Sequence, residues 1–247
     1  MLTFYCKRNA ISSWGIMNGI LKWKLYNFYR DKIKGWRSIF YSCFGEDTVI
    51  NNILGGKKNG FWVDVGAFHP EKYSNTKFFS KHMGWTGINV EPNVENFKLF
   101  QKRRSMDINL NLGVYTQESQ LNYFRFVDGL YNTFDEKLKN ELIAKGVQHM
   151  GTDSIRVTTL ANIIRENCSD KHIDFLNVDV ENLDLEVLQS NDWDKYVPSV
   201  ICVEDHEYDI SMGAKDSKIS AFLKGKGYIL DSKCRYSLIF RHKSLFE

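Results

Sequence analysis

The run "GFWVDVGAFHPEKYSNTKFF", residues 60–79, decides how the rest of the chain is read. Its opening is apolar, aromatic and β-branched without polar alternation, the pattern of a strand buried on both faces. The strand reaches a carboxylate, Asp64, then Gly66, and a polar loop containing His69-Pro70 leads into a helical pattern over 75–83. In open parallel sheets ligands bind outside the carboxyl ends of the strands, so a strand stopping on Asp-x-Gly marks a binding edge.

Working outward, the alternation persists. "TGINVEP" (86–92) reads as a second strand ending on Glu91, with helical "NVENFKLFQKR" (93–103) behind it. "MDINLNLGVY" (106–115) reads as a third strand, "TTLANIIREN" (158–167) as a helix and "IDFLNVDV" (173–180) as a fourth strand. Helical "LDLEVLQS" (183–190), a fifth strand "PSVICVE" (198–204) and helical "SKISAFLKG" (217–225) follow. The last two strands, "GYILDS" and "RYSLIFRH", have no helix between them and predict an antiparallel hairpin. Strands alternating with helices give an α/β class, a mostly parallel sheet with helices on both faces. Residues 124–155 break the alternation and are expected to form an insertion or lid over the site, or a plain surface excursion.

The chain has 247 residues, 43% of them hydrophobic, with 17 Phe and 12 Tyr, which suits one core with extra segments. Only 3 Pro argue against a disordered chain. Cys6, Cys43, Cys168, Cys202 and Cys234 form no C-x-x-C pair and are odd in number, as in a reduced compartment. There is no apolar run of about 18 residues and no signal-peptide core, so the expected location is cytoplasmic. Charge is uneven: residues 1–45 hold eight Lys/Arg against Asp31 alone, a local charge of +7, leaving −4 on the remainder. The domains expected are therefore a basic, aromatic helical arm over 1–45 and a catalytic body over 46–247. Tyr29, Ile33, Trp36 and Phe40 form one apolar stripe of the arm, which suits packing on the body or docking at the inner membrane face or on a partner. No nucleic-acid partner is expected, because no recognised module accompanies the charge.

The predicted strand ends carry Asp64, Glu91, Asn109 or Asn111, Asp179 and Glu204, a constellation rather than a single chance acid. A nicotinamide dinucleotide would ask for G-x-G-x-x-G at the first turn, so that the backbone can approach a pyrophosphate. "VDVGAFHPEKYSNT" offers one glycine, with Phe, His and Pro where close approach is needed. S-adenosylmethionine carries no phosphate; it asks for one tight turn and a carboxylate for the ribose hydroxyls. The methyl-donor reading is preferred over a nicotinamide-dependent sugar oxidoreductase, and a non-catalytic protein docking through its arm is the alternative from another class.

"YSCFGED" (41–47), "FWVDVGAFHPEKYSNT" (61–76), "GWTGINVEPN" (84–93), "DINLNLGV" (107–114), "IDFLNVDVENLDLEVLQSNDW" (173–193) and "PSVICVE" (198–204) occur in an order that resembles the FkbM family of S-adenosylmethionine-dependent methyltransferases. The resemblance implies the seven-stranded class I methyltransferase fold with its last strand antiparallel. It also implies O-methylation, with a nucleotide-linked or glycan-linked sugar of bacterial surface polysaccharide biosynthesis as acceptor. Two positions depart from the family: Asn182 stands where D-V-E-G has glycine, and Cys43 where Gln is common.

The candidate cofactor residues are Asp64, Gly66 and Ala67 under the methionine portion, Glu91 for the ribose hydroxyls, Asn111 near the adenine, and Asp179. A hydroxyl acceptor benefits from a base, and Asp179, Glu181, His206 in "VEDHE" and His69 in "GAFHP" are the candidates. No spacing compels a metal. If Mg²⁺ or Mn²⁺ were held, Asp179, Glu204, Asp205 and His206 would be its ligands.

Overall fold

The structure, a computed structural model, describes residues 40–208 and 217–246. The chain divides after Ile39, and Phe40–Glu247 form one compact unit. Most of the basic arm, residues 1–39, lies outside the described residues, as does the greater part of its apolar stripe. Its last residues belong with the body: the Tyr41 amide donates to Asp47 Oδ2 (2.7 Å) and the Ser42 hydroxyl to Asp47 Oδ1 (3.0 Å).

The elements run α1 (Glu46–Ile53), β1 (Phe61–Val65), α2 (Lys77–His82), β2 (Thr86–Val90), α3 (Val94–Arg103), β3 (Ile108–Leu110), β4 (Gly113–Val114), β5 (Ser119–Phe126), α4 (Glu136–Ala144), β6 (His149–Thr158), α5 (Leu160–Cys168), β7 (Phe175–Val178), α6 (Asp184–Gln189), β8 (Val200–Glu204), α7 (Lys218–Gly225), β9 (Tyr228–Cys234) and β10 (Ser237–His242). The main sheet has seven strands in the order β3-β2-β1-β7-β8-β10-β9. The first five are parallel, while β10 is antiparallel to both β8 and β9. The strand order reverses between β1 and β7, the switch point at which such sheets bind ligands.

β1 sits at the centre with all five residues buried, which explains its apolar composition. Phe61, Val63 and Val65 face one core with Leu160, Ile164, Val187 and Leu223 of α5, α6 and α7. Trp62 faces the other with Ile50 of α1 and Phe79 of α2. On this second face an in-register polar row crosses the sheet: Asn109, Asn89, Asp64 and Asn177 occupy neighbouring strands. Asn89 Nδ2 donates to Asn109 Oδ1 (2.9 Å), and Asn177 Nδ2 to Asp64 Oδ1 (2.9 Å). Buried amides and carboxylates are tolerable only when paired in this way.

One expectation changes. The single strand read over 106–115 is broken: Ile108–Leu110 joins the main sheet, whereas Gly113–Val114 joins a second one. Between them Asn111 Nδ2 donates to the carbonyls of Glu91 and Pro92, both at 2.9 Å, and turns the chain. Residues 124–155, set apart by the sequence pattern, carry regular structure. β5 and β6 pair antiparallel, β4 pairs parallel with β6, and α4 lies between the long strands, giving a three-stranded sheet β4-β6-β5. Among the described residues no helix is long and apolar enough to cross a membrane.

Candidate active site

A cavity of about 480 Å³ opens at the carboxyl ends of β1, β2, β7 and β8 and is walled on one side by Tyr123 and by residues 129–134 of the second sheet's connection. Its floor is the β1 turn. Gly66 has φ +79°, and a Cβ there would lie 1.8 Å from the Asp179 carbonyl oxygen, so no other residue fits. The Gly66 and Ala67 amides both donate to the Val90 carbonyl (3.0 and 3.1 Å), drawing the turn against β2. Asp64 borders the cavity, but both its oxygens are held: Oδ2 accepts from the Thr76 hydroxyl (3.0 Å) and Oδ1 from Asn177. Its carboxyl is a brace for the turn, with its proton affinity raised by burial.

Glu91 follows β2 and is buried. Its Oε2 accepts from the Phe68 amide (2.7 Å) and its Oε1 from the Asn93 amide (2.8 Å). Burial outweighs these donors and pushes its pKa to about 8. A carboxylate has about four lone-pair sites, so each oxygen keeps capacity for one further donor such as a ribose hydroxyl. This carboxylate, the single-glycine floor and a cavity of ligand size fit S-adenosylmethionine. Asn111 does not join them: it is exposed, its amide is bound to Glu91 and Pro92, and Leu112 and Gly113 line the wall in its place.

Across the cavity the ends of β7 and β8 bring Asp179, Glu181 and Glu204 together, with oxygens all within 4.8 Å of one another. Like charges so close cannot all ionise. Burial raises the Asp179 carboxyl, helped by Glu204, and lifts Glu181 to about 9, helped by Asp179. His206 Nε2 stands 3.3 Å from Glu204 Oε2, and its ring lies 5.0 Å from that of Tyr236. The Glu204 contact raises the imidazole pKa against the opposing effect of burial. Three oxygen donors of this kind could take a hard divalent cation. The fourth member expected of such a site is elsewhere: Asp205 accepts from the Glu207 and Tyr208 amides and from the Ser217 hydroxyl, and so ties down the chain after β8. Glu181 takes the position that sequence gave to Asp205.

His69 also has another task. Its Nδ1 accepts from the Glu71 and Lys72 amides, both at 3.1 Å, so the ring shapes the loop and does not line the cavity. Burial lowers its pKa, with Lys72 and Arg103 adding to the effect. The altered D-V-E-N turn is accommodated: Asn182 has φ +80° and Glu181 φ +56°, the left-handed region that Asn enters more readily than most residues. Cys43 lies at the cavity edge, exposed.

Several cavity residues escape a sequence reading. Glu46 borders the site from α1, its oxygens accepting from the Phe44 amide (2.8 Å) and the Ser237 hydroxyl (3.4 Å). Tyr123 and Thr133 come from the second sheet; Thr133 Oγ1 donates to the Glu181 carbonyl (3.0 Å) and links that sheet to the acidic cluster. At the mouth Phe44, Tyr73, Leu130, Tyr131 and Tyr236 stay 40–58% exposed. The acidic first turn of α1 was a signal for the first; the rest depend on long-range pairing.

The sheet order with its antiparallel β10, the one-glycine turn and the acid after β2 define a class I methyltransferase. The Methyltransferase FkbM domain model matches residues 64–230. The chain belongs to the FkbM methyltransferase family. No curated protein matches it in sequence. A solved structure assigned as a caffeoyl-CoA O-methyltransferase from Staphylococcus aureus is similar over 90% of this chain and 96% of its own, at 12% identity and a TM-score of 0.37. That likeness is too loose to bear on the site.

Proposed function

We propose that this methyltransferase uses S-adenosylmethionine to methylate a hydroxyl of a sugar, nucleotide-linked or glycan-linked, in bacterial surface polysaccharide biosynthesis, working on the cytoplasmic side. The observation that carries the O-methyl reading is the carboxylate–imidazole cluster at the ends of β7 and β8, opposite Glu91 in one cavity. S-adenosylmethionine, when bound, supplies an electrophilic methyl group on a sulfonium. Gly66 and Ala67 would form the floor beneath it, and Glu91 would accept hydrogen bonds from the ribose hydroxyls. The acceptor hydroxyl must lose a proton, and His206 takes it. Glu204 orients that imidazole and raises its pKa, which makes it a stronger base. Much of the remaining acceleration comes from holding the acceptor oxygen about 3 Å from the methyl carbon. Support for a sugar comes from the family resemblance and from the half-exposed aromatic rings at the mouth.

The test is methyl transfer from labelled S-adenosylmethionine to a panel of saccharides, with the product located by mass. Transfer to an oxygen of a saccharide supports the reading; labelled product on nitrogen, or no binding of S-adenosylhomocysteine at millimolar concentration, overturns it. For the base, His206→Ala is expected to lower kcat by about 10²–10⁴-fold. In Glu204→Gln the acidic limb of the pH–rate profile is expected to move to lower pH. Full turnover in His206→Ala would remove the assignment.

A further inference from the structure

We propose that the acceptor is the uncharged end of a glycan and not a nucleotide-diphosphate sugar, an inference that rests on the sugar O-methyltransferase reading above. The described lining of the cavity offers a diphosphate no lysine or arginine. Of its described residues, Glu46, Asp64, Glu91, Asp179, Glu181 and Glu204 carry carboxyl groups, and the one imidazole, His206, is engaged by Glu204 at 3.3 Å. Sites that take phosphate use Arg or Lys side chains or the free amides of a helix N-terminus. The helix end that adjoins this cavity is itself acidic, which opposes an anion there. α1 has Glu46 and Asp47 in its first turn, and the Asp47 amide donates to the Ser42 hydroxyl (3.4 Å). The β1 turn, with a single glycine facing the Asp179 carbonyl, leaves no backbone cradle either. Arg235, beside the rim, is stacked over the rings of Phe44 and Tyr236 at 5.0 and 4.9 Å and is not part of the lining.

What the mouth does offer is apolar area. Phe44, Tyr73, Leu130, Tyr131 and Tyr236 reach it from separate segments and remain 40–58% exposed. Large side chains left in solvent around one cavity mark a ligand groove. Flat amphipathic rings suit the apolar faces of successive saccharide units, whose hydroxyls remain free to hydrogen-bond at the edges. A unit negative charge held about 8 Å from one ionised carboxylate loses roughly tenfold or more in affinity at an effective dielectric near 20. An uncharged glycan end carries no such penalty.

The test uses the full chain saturated with S-adenosylhomocysteine. Calorimetry would compare mono- and disaccharide methyl glycosides of common hexoses and deoxyhexoses with the UDP-, GDP- and dTDP-linked forms of the same sugars. The expected result is that at least one glycoside binds and that its nucleotide form binds tenfold or more weakly, the gap narrowing in Glu46→Gln and at high salt. Tyr73→Ala and Tyr131→Ala should weaken the glycoside severalfold and leave S-adenosylhomocysteine affinity unchanged. A nucleotide sugar that binds as tightly as its glycoside, or more tightly, overturns the inference and leaves the sugar reading standing, with residues 1–39 as the place to seek its cations. If S-adenosylhomocysteine binds and neither sugar class does, the sugar reading falls and this inference with it.

Discussion

Raising the pH toward 8 should tighten the binding of S-adenosylhomocysteine, and the proton responsible sits on Glu91. Burial holds this carboxyl near pKa 8 in the free protein, despite the two backbone amides that favour its ionised form. Ribose hydroxyls donate best to the ionised carboxylate, so binding at neutral pH must expel the proton. A group with its pKa near 8 is about 90% protonated at pH 7, so binding there should release about 0.9 proton. Below that pKa the affinity should fall by close to tenfold per pH unit. Titration calorimetry at pH 7 in phosphate and in Tris reads the proton directly, because the two buffers differ in ionisation heat. Glu91→Gln should bind more weakly, release no proton at this site and show a flat pH profile. Equal heats in the two buffers for the native chain, or an unchanged slope in Glu91→Gln, would refute the role given to Glu91.

Gly66→Ala should be among the most damaging single changes, since its Cβ meets the Asp179 carbonyl at 1.8 Å on a backbone with φ +79°. A loss of about 4 kcal/mol or more, or failure to fold, is expected in urea denaturation; a loss below about 1 kcal/mol would mean the β1 turn is placed differently. Asn182→Gly, which installs the family residue at φ +80°, should change stability by no more than about 1 kcal/mol, whereas Asn182→Val should cost more. Asp179 and Glu181 have raised pKa values, so the folded state binds more protons than the unfolded one, and stability should fall as pH rises from about 4 to about 9. Glu181→Gln should therefore raise Tm at pH 8 while activity drops, the trade expected of a strained site; a lower Tm there would contradict the crowding of these carboxylates.

The parallel strands, the closing hairpin and the tight turn at Gly66 were all legible because each has a local cause. Apolar runs such as "FWVDV" can be buried on both faces, and one glycine with a strand before it and a helix after it leaves few alternatives. α1 was missed, although Glu46 and Asp47 at its start and Val49, Ile50 and Ile53 at helical spacing were available signals. The third strand was read too long. Nothing in "INLNLGV" announces that Gly113–Val114 will pair with Val157–Thr158, more than forty residues away.

The site divides in the same way. Sequence alone determined that Gly66, Glu91, Asp179, Glu181 and His206 lie at one sheet edge, because parallel strands deliver their carboxyl ends there whatever else happens. Tertiary structure decided which of them face each other. It turned His69 and Asp205 toward backbone amides, engaged Asp64 with Thr76 and Asn177, and left Glu181 to join Asp179 and Glu204. The reason is that a polar side chain at a strand end takes whichever donor or acceptor its neighbours leave unsatisfied. Those neighbours come from strands and loops far apart in the chain, so the choice is made only when the sheet closes.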